Sequence, residues 1–549
     1  MKIPRLRILT AFLLMVGTFT TTNVAGGLSG TGGQLPEPPR KFVEIPKPAP
    51  PRRVHAVPAG GNFQAALDAA QPGDVITLAA GESYVGRFIL PRKDGAEYIT
   101  IRTSTPDGSL PAEGTRIAPA DSPLLPKIVA ANTEPAVLAA PGAHHYRFLG
   151  IEITARPNPA GGRYAKLNYG LVWMGYPIKR VDEIPHHIVF ERCYIHGYPE
   201  GEFYRGIMLN AADAAVVDSH IAAIHSLHQE AQAIDSWTGP GPFKIVNNYL
   251  EAAGENLMFG GADTAIPGLV PSDIEIRRNH FFKPLTWRVG HPSYAGKRWI
   301  VKNLFELKNA QRVLIEGNVF ENNWVMGQDG TAILFTVRNQ SGSNPWAVVQ
   351  DVAFKYNVIR GAGVNGFNIL GKDYNFPSQV TQRLLIAENV IGTVDEPLGD
   401  DNAGWGVEVS GGPRGIVIEH NTIFVRRGPV VADGAPSVDF VFRRNVASYG
   451  LYGIFGDNKG GGVPAIAHYF PNGDISRNVL VGNLRNDPTP YPPTTMILQS
   501  WSEVGFVNLA SGDYRLSPTS RARKLESGGR APGADHDSIK KAIAGVVRP

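Results

Sequence analysis

One short phrase recurs along the chain from residue 190 onward, for example as IEGNVF (315–320), FKYNVI (354–359) and IAENVI (386–391). Each copy has an apolar residue, two mostly polar residues, a small polar residue, one further residue and a closing apolar residue. The copies extend from FERCYI (190–195) to ISRNVL (475–480), and neighbouring copies lie 24 to 39 residues apart. Periods of this size predict a solenoid in which each repeat forms one coil and stacks on the previous one.

The fourth place of the phrase indicates how the coils are joined. It is held, in order, by Cys193, Ser219, Asn248, Asn279, Asn318, Asn357, Asn389, Asn421, Asn445 and Asn478. The flanking apolar runs are short and rich in Val, Ile and Phe, which is typical of strands. An asparagine between two strands marks a tight bend, because its side chain bonds to nearby backbone and tolerates the left-handed region. Stacked asparagines can also bond to one another, so we expect Asn318 and Asn357 to be buried at equivalent bends.

Two rival folds do not fit this pattern. A leucine-rich repeat also carries asparagines, but its strict leucine spacing is missing here. An antiparallel sandwich would need two-residue hairpins, and Asn-Gly hairpin signals are scarce.

Cys193 replaces an asparagine of the phrase, so we expect it to be a buried structural thiol.

The repeated asparagines resemble those of the right-handed parallel β-helix superfamily of pectate lyases and related enzymes. The opening resembles it too, because NFQAALDAA (62–70) predicts a short helix like those that cap the first coil in that superfamily. The resemblance covers about residues 54–520. It implies an all-β, right-handed parallel β-helix of about ten to twelve coils with an N-terminal capping helix. Because this superfamily includes lyases, hydrolases, epimerases and inert fibres, the fold alone does not name a reaction.

The N-terminal residues 1–25 are typical of a signal peptide. Lys2, Arg5 and Arg7 precede an apolar run from Ile8 to Phe19, with expected cleavage after Ala25. That run is shorter than the roughly 20 residues that span a bilayer, and no later segment is long and apolar enough to do so. We therefore expect a secreted, periplasmic or cell-surface protein without an integral membrane segment after signal removal.

The remaining boundaries follow from composition. Residues 26–53 are rich in Gly and Pro and predict an extended linker, disordered to about residue 51. Residues 521–549 follow the last strand-like segment and are predicted to form a C-terminal tail.

Charge and cysteine content limit the function. The formal net charge is +4, and removal of residues 1–25 would leave +1. A nucleic-acid binder would carry a concentrated basic excess, and none is visible. Since Cys193 is the lone cysteine, no internal disulfide can form. We expect a monomer that binds polysaccharide and no nucleic acid.

A strand precedes each asparagine phrase, and in the superfamily's enzymes the polysaccharide groove lies along the sheet of these strands. Side chains alternate between the two faces of a strand, so with Ile207, Ile333 and Val407 pointing inward the outward positions follow. They are Asn210, Asp235, Trp237, Glu306, Lys308, Thr336, Arg338, Asn368 and Glu408. The two 39-residue coils should carry extra loops on this face, which directs attention to the central coils.

Three functions fit these residues. β-Elimination beside a uronate needs a base and a cation; the superfamily's lyases use Lys or Arg and often Ca²⁺ held by acidic side chains. The resemblance thus assigns catalysis to Lys308 and Arg338 with Asp235 and Glu306, and makes an acidic polysaccharide lyase our first expectation. An inverting hydrolase would use two carboxylates instead, for which Asp235 and Glu306 are candidates. A non-catalytic carbohydrate-binding solenoid would need only binding residues. Substrate binding is expected of Trp237, Asn210, Asn368 and Glu408.

Other signals are weaker. The superfamily's paired hydrolase aspartates are matched only by Asp400–Asp401, in a loop, and the signatures of its alginate- and chondroitin-cleaving lyases are missing. Glu255 and Asp329 sit at bends, where a turn role is commoner than catalysis, but they are the next site candidates. HSLHQE (225–230) resembles a metal cluster only loosely, and a structural or surface role is expected for its histidines.

Overall fold

A computed structural model describes residues 34–47, 49–157, 167–392, 404–483 and 489–548. The predicted signal peptide and the Asp400–Asp401 pair lie outside these residues. Among the described residues, no helix combines the length and apolar character needed to cross a membrane.

Three long parallel sheets run the length of the chain, and each coil contributes one strand to each sheet in turn. The first sheet contains Val54–Val57, Val75–Leu78, Ile99–Thr103, His144–Leu149, His186–Glu191, Ala212–Val217, Phe243–Val246, Ser272–Arg277, Ala310–Glu316, Val349–Lys355, Gln382–Ala387, Arg414–Glu419, Val441–Arg443 and Asp474–Ser476. The second contains Ser83–Val85, Lys127–Ala130, Glu152–Ala155, Tyr194–His196, His220–Ile224, Tyr249–Ala252, His280–Phe282, Val319–Asn323, Val358–Ala362, Val390–Ile391, Thr422–Ile423, Val446–Gly450, Val479–Asn483 and Met496–Leu498.

The third sheet contains Phe88–Leu90, Val137–Ala139, Val172–Met174, Arg205–Leu209, Gln232–Ser236, Leu257–Phe259, Phe305–Leu307, Ile333–Thr336, Asn365–Leu370, Trp405–Ser410, Gly428–Asp433 and Ile454–Gly456, closed by an antiparallel Gly460–Gly461. Two small pairs, Leu167–Asn168 with Glu202–Phe203 and Phe506–Asn508 with Asp513–Leu516, lie outside the three sheets. The chain is a right-handed parallel β-helix. Right-handed connections are the usual form of a crossover between parallel strands. The predicted fold is confirmed.

In the part of the chain that the structure describes, helices are few and short. The α-helices are Phe63–Ala69, Val463–Tyr469 and His536–Ala542, and the 3₁₀ turns are Asp107–Ser109, Pro119–Leu124, Val181–Glu183, Leu285–Trp287, Trp501–Val504 and Arg521–Leu525. The first helix begins where the Asn62 side chain accepts a hydrogen bond from the Ala65 amide, a usual N-cap. It buries Phe63 and Leu67 against the core of the first coils. A capping role for this helix stays a prediction.

From Asn248 to Asn478, the asparagine corner joins each first-sheet strand to the second-sheet strand that follows it. Asn318 Nδ2 donates to Asn357 Oδ1 at 3.0 Å and to the Ile276 carbonyl at 3.0 Å, while Asn318 Oδ1 accepts from the Asn279 amide at 2.9 Å. The same bonds continue from Asn248 to Asn478. Both predicted residues, Asn318 and Asn357, are fully buried.

One detail of the bend differs from the expectation. The left-handed backbone conformation belongs to the residue before each corner residue, for example Asn247 (φ 57°), Arg278 (φ 56°) and Glu388 (φ 60°). The asparagine itself therefore stabilises the bend through the hydrogen bonds of its side chain, not through a left-handed backbone conformation. Cys193 takes the same place in the first of these coils; it is buried, and burial raises the pKa of its thiol to about 12. A structural role for this thiol is confirmed.

Apolar side chains fill the interior in rows that follow the coils. In the third sheet, Leu257, Phe305, Ile333, Phe367 and Val407 occupy equivalent inward positions and are fully buried. Phenylalanines from different sheets meet between these rows, as where Phe354 and Phe367 lie with ring centroids 5.0 Å apart. Such stacking leaves one continuous apolar core along the coils, which is the main source of stability for a chain without disulfides.

The Pro-rich segment before the first coil is ordered where the structure describes it, which corrects the disordered linker expected from its composition. Val43 packs on the apolar outer residues Val189, Ala215 and Val217 of the first sheet. The Glu37 amide also donates to Asp351 at 3.0 Å. An extended proline-rich chain loses little conformational freedom on docking, so these contacts suffice to fix it.

The C-terminal segment also packs against the coils. Ile539 of the last helix is buried against Val390 and Phe424. Arg278 donates to the carbonyls of Ala542 (3.0 Å) and Ala544 (2.7 Å). The segment therefore covers part of the asparagine corner.

Candidate functional site

The outward row of the third sheet follows the predicted alternation. In register, it runs Met208, Asp235, Met258, Glu306, Leu334, Asn368, Glu408 and Val431. Lys308 and Arg338 lie just beyond their strands on adjacent coils, since the Arg338 amide donates to the Lys308 carbonyl at 2.9 Å. The sequence thus placed these residues on one face, but their exposure differs from the expectation.

Asp235 and Trp237 do not face an open groove. Asp235 is fully buried and forms an ion pair with Arg205. The same Arg205 lies 3.8 Å from the ring centroid of Tyr204 and 5.3 Å from that of Trp237. Tyr176 meets Trp237 edge-on at 6.2 Å. The guanidinium of Arg205, which lies between the Asp235 carboxylate and the rings of Tyr204 and Trp237, therefore covers this end of the outward row.

Asn210 is also buried rather than available for substrate. Its Oδ1 accepts hydrogen bonds from the amides of Trp237 (2.9 Å) and Thr238 (3.0 Å) in the next coil. Leaving those buried amides unpaired would cost free energy, so the side chain supports a turn. The solvent-facing position expected for Asn210 is therefore wrong.

Glu306 is buried within a cluster of charged side chains. Its carboxylate accepts from Asn303 Nδ2 (3.1 Å) and Thr336 Oγ1 (3.3 Å), and Lys308 Nζ lies 3.7 Å away. Burial raises the pKa of Glu306, and Lys308 opposes this rise. Lys308 lies outside the coil interior, with 13% of its side chain exposed. The solvent-facing position expected for Glu306 is therefore wrong, because Asn303, Thr336 and Lys308 cover it.

A second lysine, which sequence reasoning missed, is the centre of that cluster. Lys302 Nζ lies 2.7 Å from Glu230 and 2.9 Å from the buried Glu255, whose other oxygen accepts from Gln232 at 2.7 Å. Burial raises the pKa of Glu255, but the positive charge of Lys302 lowers it. The net result is a pKa below the usual value. The one available signal was the charge of Lys302 within the apolar run WIVKNLF (299–305).

The turn beneath this cluster is held by another buried lysine. Lys283 Nζ donates to the carbonyls of Ala252 (2.8 Å), Ala253 (3.0 Å) and Gly254 (2.6 Å) and to Asn256 Oδ1 (3.0 Å). Burial lowers the pKa of Lys283 to about 7. These bonds fix the turn that carries Glu255, so Glu255 belongs to a rigid charged cluster.

Farther along the same face is a cavity of about 240 Å³. Its wall includes Arg338, Asn368, Glu408 and Asp433. The remaining wall residues are Asn303, Gln328, Asp329, Thr331, Leu334, Thr336, Leu370, Tyr374 and Ser410. Arg338 is 30% exposed, 3.9 Å from Asp373 and 5.8 Å from the Tyr374 ring centroid. Residues 328–331 come from the second 39-residue coil, as the coil lengths predicted, while 371–374 come from the following 32-residue coil.

Glu408 is the most perturbed acid of this cavity. Burial, together with the charges of Asp433 and Asp329, raises its pKa to about 7, while Asn365 Nδ2 donates to it at 3.0 Å. A carboxylic acid that holds its proton near neutral pH is suited to general acid catalysis. The predicted substrate-binding residues Asn368 and Glu408 thus share a cavity, together with the predicted catalytic residue Arg338.

Ca²⁺ fits poorly beside Lys308. The carboxylate beside it, that of Glu306, is buried under Asn303 and Thr336, and Glu255 and Glu230 already bind the ammonium group of Lys302. Among the described residues, the group of three or more His, Cys, Asp or Glu side chains with ligand atoms within 4.8 Å of one another lies on the first sheet, at His144, His145 and His186. No step of the chemistry below is therefore assigned to Ca²⁺.

The HSLHQE histidines do not form a metal cluster. His225 stacks on Trp299 with centroids 3.9 Å apart, His228 lies 3.9 Å from Glu202, and Glu230 pairs with Lys302. These contacts agree with the structural or surface role expected for the two histidines.

Comparisons with known proteins do not identify a family for this chain. No family model matches the chain, and no curated protein matches its sequence. A mannuronic acid-specific polysaccharide family 6 lyase from human gut microbiota is 10% identical (89% of this chain, 98% of that chain, TM-score 0.45). A GH87 α-1,3-glucanase of Streptomyces thermodiastaticus is 12% identical (80% and 65%, 0.41), and the surface adhesin PfbA of Streptococcus pneumoniae is 11% identical (67% and 81%, 0.43). Values this low leave the activity open.

Proposed function

We propose that this protein is a secreted or cell-surface carbohydrate-active enzyme that hydrolyses a polysaccharide in the cavity over the third sheet. The observation that carries the proposal is Glu408, whose pKa is raised to about 7 in a cavity that also holds Asp433 and Asp329. Acid and base carboxyl groups whose environments separate their pKa values are the usual arrangement for glycoside hydrolysis.

The positions of Glu408 and Asp433 suit an inverting reaction. Glu408 pairs in register with Val431, two residues before Asp433 on the next coil. Strand spacing and rise then put their Cα atoms about 8 Å apart, and the charge of Asp433 acts on Glu408. We infer that two outward carboxyl groups on this spacing can meet the separation of roughly 6.5–9.5 Å that inverting enzymes use. Glu408 would protonate the glycosidic oxygen, while Asp433 accepts a proton from the water that attacks the anomeric carbon.

The charges that line the cavity favour a neutral sugar over an acidic one at this subsite. Three carboxyl groups and one guanidinium, that of Arg338, line the cavity. Like charges facing each other across an interface are unfavourable. A neutral sugar is therefore the better occupant next to Glu408, and Arg338 with Tyr374 at the rim can bind its hydroxyls or stack on its ring.

β-Elimination on an acidic polysaccharide is the second candidate, favoured by one observation. Lys308 and Arg338 lie on adjacent coils beside the cavity, so a uronate bound there would meet two cations. Against it, Lys308 lies 3.7 Å from Glu306 and only 13% of its side chain is exposed, so its amino group is directed to a carboxylate and has little access to a sugar ring.

The test is incubation of the purified protein with plant, algal and bacterial polysaccharides, with two readouts: new reducing ends, and the ultraviolet absorbance of unsaturated uronate ends. We expect reducing ends without absorbance. Glu408→Gln should then lower turnover by at least about a hundredfold, while the exposed Glu113→Gln, a matched control, retains full activity.

Other outcomes separate the candidates. Absorbance together with reducing ends, lost in Lys308→Ala and kept in Glu408→Gln, would establish the lyase and refute the hydrolase. Binding of a polysaccharide without either product would indicate a non-catalytic binding solenoid.

A further inference from the structure

Four histidines form two adjacent pairs on the outer face of the first sheet, away from the third-sheet cavity. They begin the strands HHYRFL (144–149) and HHIVFE (186–191), which pair in parallel with His144 opposite His186. Such a coincidence of two identical dipeptides on neighbouring coils concentrates four imidazoles in one place.

The backbone brings both rings of each pair to the same face. His145 (φ 58°) and His187 (φ 54°) adopt the left-handed conformation, which interrupts the regular alternation of side chains. Other coils carry the same feature at this position, where Asp273 with Arg312 and Asp351 with Arg383 form ion pairs. In the two histidine coils, imidazoles replace those charge pairs.

The ring geometry is compact. Within each pair the two Nδ1 atoms lie 2.8 Å apart. Between coils, His144 stacks on His186 with centroids 4.5 Å apart, and His145 on His187 at 4.3 Å. One ligand nitrogen from each of His144, His145 and His186 can be chosen so that all three lie within 4.8 Å of one another.

The close nitrogen pairs suit a metal ion. Within each pair, one Nδ1 can donate a hydrogen bond to the other across 2.8 Å. A metal ion bound at this place would replace the proton that the two nitrogens share, since neutral imidazole is the form that coordinates metals.

We propose that His144, His145 and His186 form a site for a divalent transition metal of the Zn²⁺ class that joins two neighbouring coils of the first sheet. Three imidazoles with one open position are a recurrent donor set for Zn²⁺, which binds nitrogen at about 2.0–2.1 Å. The rings are half-buried, and small rotations would bring their nitrogens to that distance. His187 contacts His186 Nδ1 and acts as a positioning residue.

The test uses the full protein without a histidine tag, freed of metal by a chelator and titrated with ZnCl₂ by calorimetry. We expect one Zn²⁺ per chain and a higher unfolding temperature in its presence, since a ligand that binds only the folded state stabilises it. Co²⁺ in place of Zn²⁺ should give the intense visible absorption of a tetrahedral site.

Variants locate the site. His144→Gln/His186→Gln should weaken Zn²⁺ binding at least a hundredfold. The matched control is His291→Gln/His468→Gln, which changes a half-buried and an exposed histidine outside the cluster and should leave binding unchanged. His187→Gln should retain one Zn²⁺ with a weaker affinity and an altered Co²⁺ spectrum. Absence of Zn²⁺ binding, equal binding by the first double variant when its circular dichroism is native, or loss in the control would each overturn the proposal.

Discussion

The asparagine corner and the outward row of the third sheet repeat with the same coils but are built in opposite ways. At the corner, every coil from Asn248 to Asn478 supplies the same residue, and each amide is satisfied by the next one, as Asn318 is by Asn357. On the third sheet, the residue changes from coil to coil, from Asp235 to Glu306 to Glu408, and each carboxyl group has a different partner. A row of identical residues can be purely structural, whereas a varied row needs partners brought by loops and can make a site.

The largest effect should come from the charged cluster of the third sheet. Lys302→Met would leave the buried Glu255 without its cation and should lower the free energy of unfolding by about 3–5 kcal/mol. Lys297→Met is the matched control, because Lys297 pairs with Glu200 at the surface (42% exposed, against 4% for Lys302) and should change it by less than about 1 kcal/mol. Urea unfolding measures both; equal effects would mean that burial of the pair does not matter.

At the corner, Asn318→Leu should also be strongly destabilising. The change leaves the Asn279 amide and the Ile276 carbonyl without their partners, at a cost of about 3 kcal/mol. The exposed Asn375→Leu should be nearly neutral and serves as the control. Urea unfolding that does not distinguish the two variants would contradict a structural role for the corner amides.

Glu408 should make stability depend on pH. Its pKa rises from 4.5 to about 7 on folding, so between these values the folded protein holds a proton that the unfolded chain has lost. The free energy of unfolding should therefore fall as pH increases across this window, by about 3 kcal/mol at most, and level off above it. The difference between the protein and Glu408→Gln, measured at pH 5 and pH 8, isolates this contribution. No change in that difference would mean that Glu408 is not shifted.

The smallest effect is expected where the corner row departs from asparagine. Cys193→Ser keeps a small donor facing the Phe148 and Glu191 carbonyls, which the thiol now contacts at 3.6 and 3.4 Å. We expect a change below about 1 kcal/mol in the free energy of unfolding. Since the thiol is buried, it should also react with a thiol reagent only after unfolding; fast reaction in the native protein would refute burial.

Much of this architecture could be predicted from the sequence, because the repeat is local and each coil obeys the same rules. The spacing of the asparagine phrases gave the coils, and strand alternation placed Asp235, Glu306, Asn368 and Glu408 in one row. For the part of the proline-rich segment that the structure describes, composition could not show that Val43 meets apolar residues far along the chain.

What the sequence determined by itself was the parallel β-helix, its asparagine corner and the side of the sheet on which each residue lies, since all three depend on neighbours a fixed number of residues away. Only the tertiary structure decided which outward residues are free. Arg205 covers Asp235, and Lys302 reaches across coils to Glu230 and Glu255, while Arg338, Glu408 and Asp433 remain around a cavity. Burial of a charged group depends on side chains and loops that meet only after coiling, so it cannot be predicted from a repeat.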